Sequence, residues 1–262
     1  MEFLLELPVF TGLFIFISFI SFSGLIVVIL SKKFIKNSMN KEHEKVGRLL
    51  FRVSAGLIAL LVSLSYANER VRQSKIIDSM EEEASLLVNV SMKLGHLESV
   101  EAKNAFEKIK DYVALTINDD WKIIENDPYF SRISQSLVEA ALLISKIQPQ
   151  NESETQQKKI LLNEINEITK LQQIRIYSHY AATPYLIYIL LCGLTFMWIF
   201  YSVYKVNFVS LFFLTLYNIL IAILIYFVFS LSNPLVGPLK IKPDSFIIVQ
   251  SKGFDMYSEE KN

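Results

Sequence analysis

The chain has 262 residues, of which 52% are hydrophobic, 13% aromatic and 20% charged, and its 26 basic residues balance its 26 acidic ones. This composition is too apolar for an ordinary soluble domain, and it excludes a disordered or collagen-like chain. The absence of a basic excess argues against nucleic acid as a partner, and a single cysteine excludes a disulfide framework.

Two apolar segments open the chain. Leu7 to Ser31 contains no charged residue and is long enough to cross a bilayer core of about 30 Å. The residues before it are acidic and its apolar run is longer than that of a signal peptide, so we expect a membrane helix. The second run, Leu49 to Ala67, carries Arg52 near its start, where a long basic side chain can reach the lipid headgroups. We expect this run to span the membrane as well.

Residues 68–183 are different in character, with 14 basic and 18 acidic side chains. Their apolar residues recur at helical spacing and predict four helices that pack as a small bundle. No Gly or Pro separates the second span from the first of these helices, so we expect one continuous helix that stops at Gly95. Pro128 is expected to begin the third bundle helix.

Two more charge-free segments follow the bundle. Pro184 is expected to kink or restart the chain ahead of the third span, Tyr185 to Tyr204. The fourth span is expected at Asn207 to Leu231, and Asn218 near its centre should find a polar partner across a helix interface. Several aromatic residues toward the ends of the third span resemble an interfacial belt, namely Tyr185, Tyr188, Trp198, Tyr201 and Tyr204.

These elements predict an all-α membrane protein with four transmembrane helices and a helical bundle inserted between the second and third. Residues 1–67 would hold the first two spans, 68–183 the bundle, 184–239 the other two spans, and 240–262 a C-terminal tail. The chain lacks the short motifs of nucleotide-binding, metal-dependent and nucleophilic enzymes. We therefore expect no enzymatic activity, no cofactor and no metal site.

One face of the second span combines small residues with basic residues at both ends. At about 100° per residue, a narrow stripe contains Arg48, Arg52, Ala55, Ala59, Ser63, Tyr66 and Arg70. Small residues let helices approach closely in lipid, which is a common packing device. They also leave room for a pore, whose arginines would favour anions. The residues themselves leave both interpretations open.

An ordered set of landmarks runs from the second span to the end of the fourth and beyond. It comprises Glu44-x-x-Gly47, Asn68-Glu69-Arg70, Glu83-Ala84-x-x-Leu87, Tyr112, Asp119-Asp120-Trp121, Arg175, Pro184, Leu231-Ser232-Asn233-Pro234-Leu235-Val236-Gly237-Pro238, Pro243 and Phe246. Over roughly residues 8–246 this set resembles a bacterial membrane family described as having a bestrophin-like domain. The last motif of that family resembles Leu-Asp-Arg-Pro-Phe-x-Gly, and Ser232 and Asn233 replace its charged pair here.

The resemblance implies an oligomeric anion channel, because bestrophins are pentameric anion channels whose second helix lines the pore and whose inter-helix domain is cytosolic. It implies a homo-oligomer in the lipid bilayer of the bacterial inner membrane, with small anions as ligands and with the bundle and both termini in the cytoplasm. Basic residues near the span ends are almost evenly divided between the two sides and do not decide the orientation. The alternative is a non-conducting membrane scaffold or sensor whose bundle binds a protein partner.

Overall fold

A computed structural model describes residues 3–35, 40–118, 128–180, 184–205, 207–234 and 237–254. All regular secondary structure in these ranges is helical, which confirms the predicted all-α class. The chain divides into two compact units. The membrane unit comprises Met1–Gln73 and Ala181–Lys240, and the bundle unit comprises Ser74–Tyr180 and Ile241–Asn262.

The long helices follow one another in the order expected from hydropathy and helical spacing, whereas two short helices, near the ends of the described chain, were not predicted. They are α1 (Phe3–Glu6), α2 (Val9–Ile35), α3 (Lys41–Gly95), α4 (Val100–Asn118), α5 (Pro128–Lys146), α6 (Glu152–Tyr180), α7 (Pro184–Tyr201), α8 (Phe208–Leu231) and α9 (Asp244–Ile248), followed by a π-helical turn at Val249–Gly253. As predicted, α3 is a single helix that continues from the second span and ends at Gly95. The boundary between the two units lies within it, after Gln73.

Within the described ranges, α2, α3 and α8 are long and apolar enough to cross a membrane. In α3 we assign the span to its apolar part, residues 49–67. The described apolar part of α7, Ile187–Tyr201, is shorter. The structure therefore supports three of the four predicted spans and does not establish the fourth. Asn207 forms a capping box with Ser210 at the start of α8, which explains why that helix begins where the sequence predicts.

The core of the membrane unit contains a close meeting of three helices. A Cβ atom at Gly24 of α2 would lie 2.5 Å from Asn218 Nδ2 of α8 and 2.8 Å from the Trp198 ring of α7, so only glycine fits there. Trp198 Nε1 donates a hydrogen bond of 2.9 Å to Asn218 Oδ1, which confirms the predicted partner across a helix interface. The predicted interfacial position of Trp198 is wrong. Its side chain is only 4% exposed, because Asn218 satisfies its indole N–H inside the core.

The bundle unit is held together by one apolar face from each of its long helices. Fully buried representatives are Leu87 of α3, Ile109 of α4, Ile144 of α5 and Leu161 of α6. Part of the predicted C-terminal tail joins the same core, through Ile241, Phe246, Val249 and Phe254. Burial of this apolar surface is the main source of stability for helices that would be marginal alone.

Candidate pore-facing stripe and buried charge cluster

The predicted stripe lies on an uncovered side of α3. Within the membrane unit six of its residues are exposed, namely Arg48, Arg52, Ala59, Ser63, Tyr66 and Arg70, and Ala55 is half-buried. The packing side of α3 is instead formed by Ile58, Val62 and Ser65, each at most 4% exposed. The two faces are about 90° apart on the helix. Of the small residues of the stripe, Ala55 packs partly against the core of the membrane unit, whereas Ala59 and Ser63 are left exposed by packing within the described part of the chain.

The apolar part of α3 has a third face that differs from the stripe in chemistry. It carries large aliphatic side chains that are all more than 50% exposed, namely Leu49, Val53, Leu57, Leu60 and Leu64. Such a face suits contact with lipid tails. The stripe, in contrast, carries small alanine and serine side chains at the same depth of the helix. Ser63 Oγ donates to Ala59 O of its own helix at 2.9 Å, so its hydroxyl is already satisfied.

Basic side chains gather at the N-terminal end of the stripe. A surface pocket there is lined by Arg48, Arg52, Lys41 and Lys45 together with Glu44 and two apolar residues. Arg48 Nη2 lies 3.0 Å from Glu44 Oε2, and its guanidinium carbon lies 5.7 Å from the centre of the Tyr204 ring. Glu44 thus offsets one of the four basic charges, and the surface remains positive.

Gly47, the second landmark of the Glu44-x-x-Gly47 motif, allows α3 to approach the chain that follows α7. A Cβ atom at Gly47 would overlap Val203 Cγ2 and would lie 3.2 Å from Val203 Cβ. A branched side chain has little freedom to move aside, so the glycine is required by contact. The motif therefore has a packing role, and Glu44 adds an ion pair one turn away.

Polar contacts surround the C-terminal end of the stripe. Arg70 Nη1 donates to Gln73 Oε1 at 2.8 Å, and Gln73 Nε2 donates to Leu239 O at 2.9 Å. Arg72 forms an ion pair with Glu69 and donates to Ser232 O at 2.9 Å. The segment of α3 that begins at the Asn68-Glu69-Arg70 landmark therefore binds backbone carbonyls of the chain that follows α8.

The residues that replace the family's charged pair finish α8. Ser232 Oγ donates to Val228 O at 3.1 Å, and Asn233 Nδ2 donates to Phe229 O at 2.8 Å, so both satisfy carbonyls of the last helical turn. Pro234 is buried. Gly237 has φ +92°, a conformation that favours glycine, and a Cβ there would lie 3.1 Å from Leu5 Cβ. In this segment the described landmarks serve to end a helix and turn the chain.

Four other landmarks, far apart in sequence, meet in the core of the bundle unit. Glu83 of α3 and Tyr112 of α4 are 0% exposed, and Arg175 of α6 is 4% exposed. The Tyr112 hydroxyl donates to Glu83 Oε1, and Arg175 Nη2 lies 3.4 Å from that oxygen and 3.3 Å from Tyr112 Oη. Arg175 Nε lies 3.4 Å from Glu83 Oε2. The guanidinium carbon is 5.3 Å from the centre of the Phe246 ring. We call these four residues the charge cluster.

Burial determines the electrostatics of this cluster. It raises the pKa of the Glu83 carboxyl, and the nearby charge of Arg175 and the Tyr112 hydroxyl only partly oppose that effect. Burial and the Glu83 carboxylate raise the pKa of Tyr112 well above its ordinary value, so Tyr112 stays a hydrogen-bond donor. Burial alone would lower the pKa of Arg175, but Glu83 and Tyr112 raise it, so the guanidinium stays charged.

Each member of the charge cluster is a landmark of the sequence, but their meeting was not predicted. A signal was present, because Glu83 lies at helical spacing between Met80 and Leu87, which are both buried. A carboxylate on an apolar face requires a partner. Of the remaining landmarks, Pro184 begins α7 as expected, and Asp119, Asp120 and Trp121 lie outside the described residues.

Comparison with protein families matches residues 18–246 to the Bestrophin-like domain. No curated protein and no solved structure gave a match. The matched range contains the apolar part of α3, its stripe and the whole charge cluster. It covers most of the 262 residues, as the resemblance of the landmarks predicted. The chain is therefore an integral membrane protein that belongs to the Bestrophin-like domain family.

Proposed function

We propose that the protein is an oligomeric anion channel in which the stripe of α3 lines the pore. The observation that carries this proposal is the uncovered stripe: packing within the chain uses Ile58, Val62 and Ser65 and leaves Ala59 and Ser63 exposed. A face of small residues with arginines at its ends can line a pore when several copies of the chain surround a common axis. By resemblance to bestrophins, that assembly is a homopentamer.

The chemistry of the stripe fits the passage of small anions. Short side chains at Ala55, Ala59 and Ser63 leave space along the axis. Arg48 and Arg52 at one end, and Arg70 at the other, would create a positive potential that is strong where the surroundings have a low dielectric constant. Repetition around a ring multiplies that charge, so anions would be concentrated and cations repelled.

The proposed arrangement in the membrane places α7 across the bilayer as the fourth span. Its 18 residues reach about 27 Å, close to the thickness of about 30 Å of the hydrocarbon core. With four spans both termini and the bundle lie on the same side. By the same resemblance we assign that side to the cytoplasm of a bacterial cell.

Chloride efflux from liposomes that contain the purified protein tests the proposal. We expect flux from the wild type, and we expect Arg52→Glu to lower the permeability of chloride relative to potassium because it replaces a positive charge at the pore mouth with a negative one. The matched control is Lys75→Glu, an equal charge reversal on an exposed position of α3 away from the stripe. It should leave the permeability ratio unchanged.

An absence of flux across a range of voltage, pH and calcium, combined with a monomer in detergent, would rule out the channel. Co-purification of a stoichiometric protein partner in that case would favour the non-conducting scaffold or sensor. Equal shifts in Arg52→Glu and Lys75→Glu would show that the protein conducts but that the stripe does not line the path.

A further inference from the structure

The C-terminal segment, Ile241–Phe254, packs on the bundle unit with one face. Phe246, Val249 and Phe254 on that face are at most 9% exposed, whereas Ile247 and Ile248 on the other face are 45% and 57% exposed. This pattern is that of an amphipathic helix lying in a groove. The segment is short, however, since α9 and the π-helical turn that continues it have five residues each, and the first turn of α9 has no side-chain cap.

Three bundle helices form the groove. Phe246 lies over the Arg175 guanidinium of α6, and Phe254 meets Phe106 of α4 edge to face with ring centres 5.6 Å apart. Gly253 lies so close to α3 that a Cβ atom there would be 3.0 Å from Val88 Cγ2. The segment is thus attached through two aromatic contacts and one close backbone approach.

The contact between Phe246 and Arg175 depends on the rest of the charge cluster. Glu83 and the Tyr112 hydroxyl contact nitrogen atoms of the guanidinium, and the ring of Phe246 packs against the same group. A buried guanidinium is costly without an opposite charge beside it. Glu83 and Tyr112 are therefore positioning residues: they keep Arg175 charged and orient it toward the ring.

We propose that the charge cluster makes the C-terminal segment a releasable latch, docked on the bundle by Phe246 and able to detach while α3 to α6 stay folded. Even with the π-helical turn that continues α9, this helical stretch is shorter than the roughly 12–15 residues that an isolated helix needs in water, so detachment also melts it. Docking and helix formation in the segment are one event, controlled by whether Arg175 is held in place. This inference is independent of the proposed channel function.

Hydrogen exchange followed by mass spectrometry, on the full-length protein in detergent, tests the latch. Phe246→Leu keeps an apolar side chain and removes the aromatic face. We expect amide exchange of residues 244–254 to become about thirtyfold faster, the factor that a desolvated cation–π contact supplies, with exchange of α4 and α6 unchanged. Ile248→Ala, an exposed position on the same segment, should leave the rate as in the wild type.

A double-mutant cycle tests the dependence on Glu83. Glu83→Gln and Phe246→Leu act through the same guanidinium, so their effects on exchange of residues 244–254 should be less than additive, whereas Glu83→Gln and Phe254→Leu should be additive. If Glu83→Gln does not yield folded protein, Tyr112→Phe replaces it in the cycle. Unchanged exchange in Phe246→Leu, joint loss of protection in α4 and α6, or additivity in the Phe246 cycle would each overturn the proposal.

Discussion

Two glycines of α3 show that the same amino acid can be required at one position of a helix and unfavourable at another. Gly47 and Gly56 both lie in α3, nine positions apart. A Cβ atom at Gly47 would overlap Val203, whereas a Cβ atom at Gly56 meets no atom within 4 Å. The first glycine is required by a close contact. The second only lowers the intrinsic stability of the helix, because glycine loses more backbone freedom on folding than alanine.

We therefore predict opposite effects of the same substitution at these two positions. Gly47→Ala should lower the free energy of unfolding by about 1–3 kcal/mol, the usual cost of overpacking. Gly56→Ala should raise it by about 0.5–1 kcal/mol through helix propensity. Thermal unfolding of the detergent-solubilised protein measures both. Equal destabilisation by the two substitutions would mean that a neighbouring copy also crowds Gly56.

At the scale of a single element, α3 is the most informative helix. Its apolar part presents three faces: one packs in the membrane unit, one carries exposed leucine and valine, and the stripe carries alanine, serine and arginine. A helix that contacted only lipid and its own chain would need only two faces, one for each. The third face is therefore where we expect an aqueous path or another copy of the chain.

Cysteine accessibility distinguishes the two exposed faces. In a Cys192→Ser background, which removes the exposed native thiol, Ala59→Cys should react with a negatively charged thiol reagent and lose anion flux. Leu60→Cys, the next residue on the same helix, should not react, because its face is expected in lipid. Reaction at both positions would show that water surrounds α3. Reaction only at Leu60→Cys would mean that the leucine face lines the pore and the stripe faces lipid.

At the scale of the whole molecule, a zero net charge is the sum of two unlike regions. Residues 68–183 carry 14 basic and 18 acidic side chains, and the remaining chain carries 12 and 8. The excess of positive charge near the membrane spans is divided between both ends of them, so it does not orient the protein. The orientation must therefore be measured.

Reporter fusions test both the orientation and the fourth span. With four spans and a cytoplasmic bundle, green fluorescent protein fused after Asn262 should fluoresce, and alkaline phosphatase at the same position should be inactive. A fusion truncated after Lys205, between α7 and α8, should show the reverse. Phosphatase activity after Asn262 with fluorescence after Lys205 would mean either that the orientation is inverted or that α7 does not cross the membrane. A fusion truncated after Lys146, in the bundle unit, separates the two, because its phosphatase is active only if the orientation is inverted. The same result at Lys205 and Asn262 would mean that α8 does not separate them.

Much of the fold was predictable, because it depends on local patterns. Charge-free segments and helical spacing predicted α2, the continuous α3 and α8, as well as the stop at Gly95. The sequence also predicted α7 as a span, but its described apolar part is too short to establish that it crosses the membrane. Asn218 in an apolar helix indicated a need for a polar partner, and the structure supplies Trp198, which the sequence placed at the membrane surface. A tryptophan ring, which is apolar except for its N–H, suits both the membrane surface and the core. The position of its hydrogen-bond partner, Asn218, therefore determines where Trp198 lies.

The sequence by itself determined the class of the protein, its membrane segments and the composition of the stripe, because hydropathy and helical period are properties of neighbouring residues. Only the tertiary structure decided that Ala59 and Ser63 of the stripe stay exposed while Ile58 and Val62 pack, and that the four residues of the charge cluster converge. Both depend on how each helix is rotated toward the others. Rotation is set by contacts between residues many tens of positions apart, which no local pattern contains.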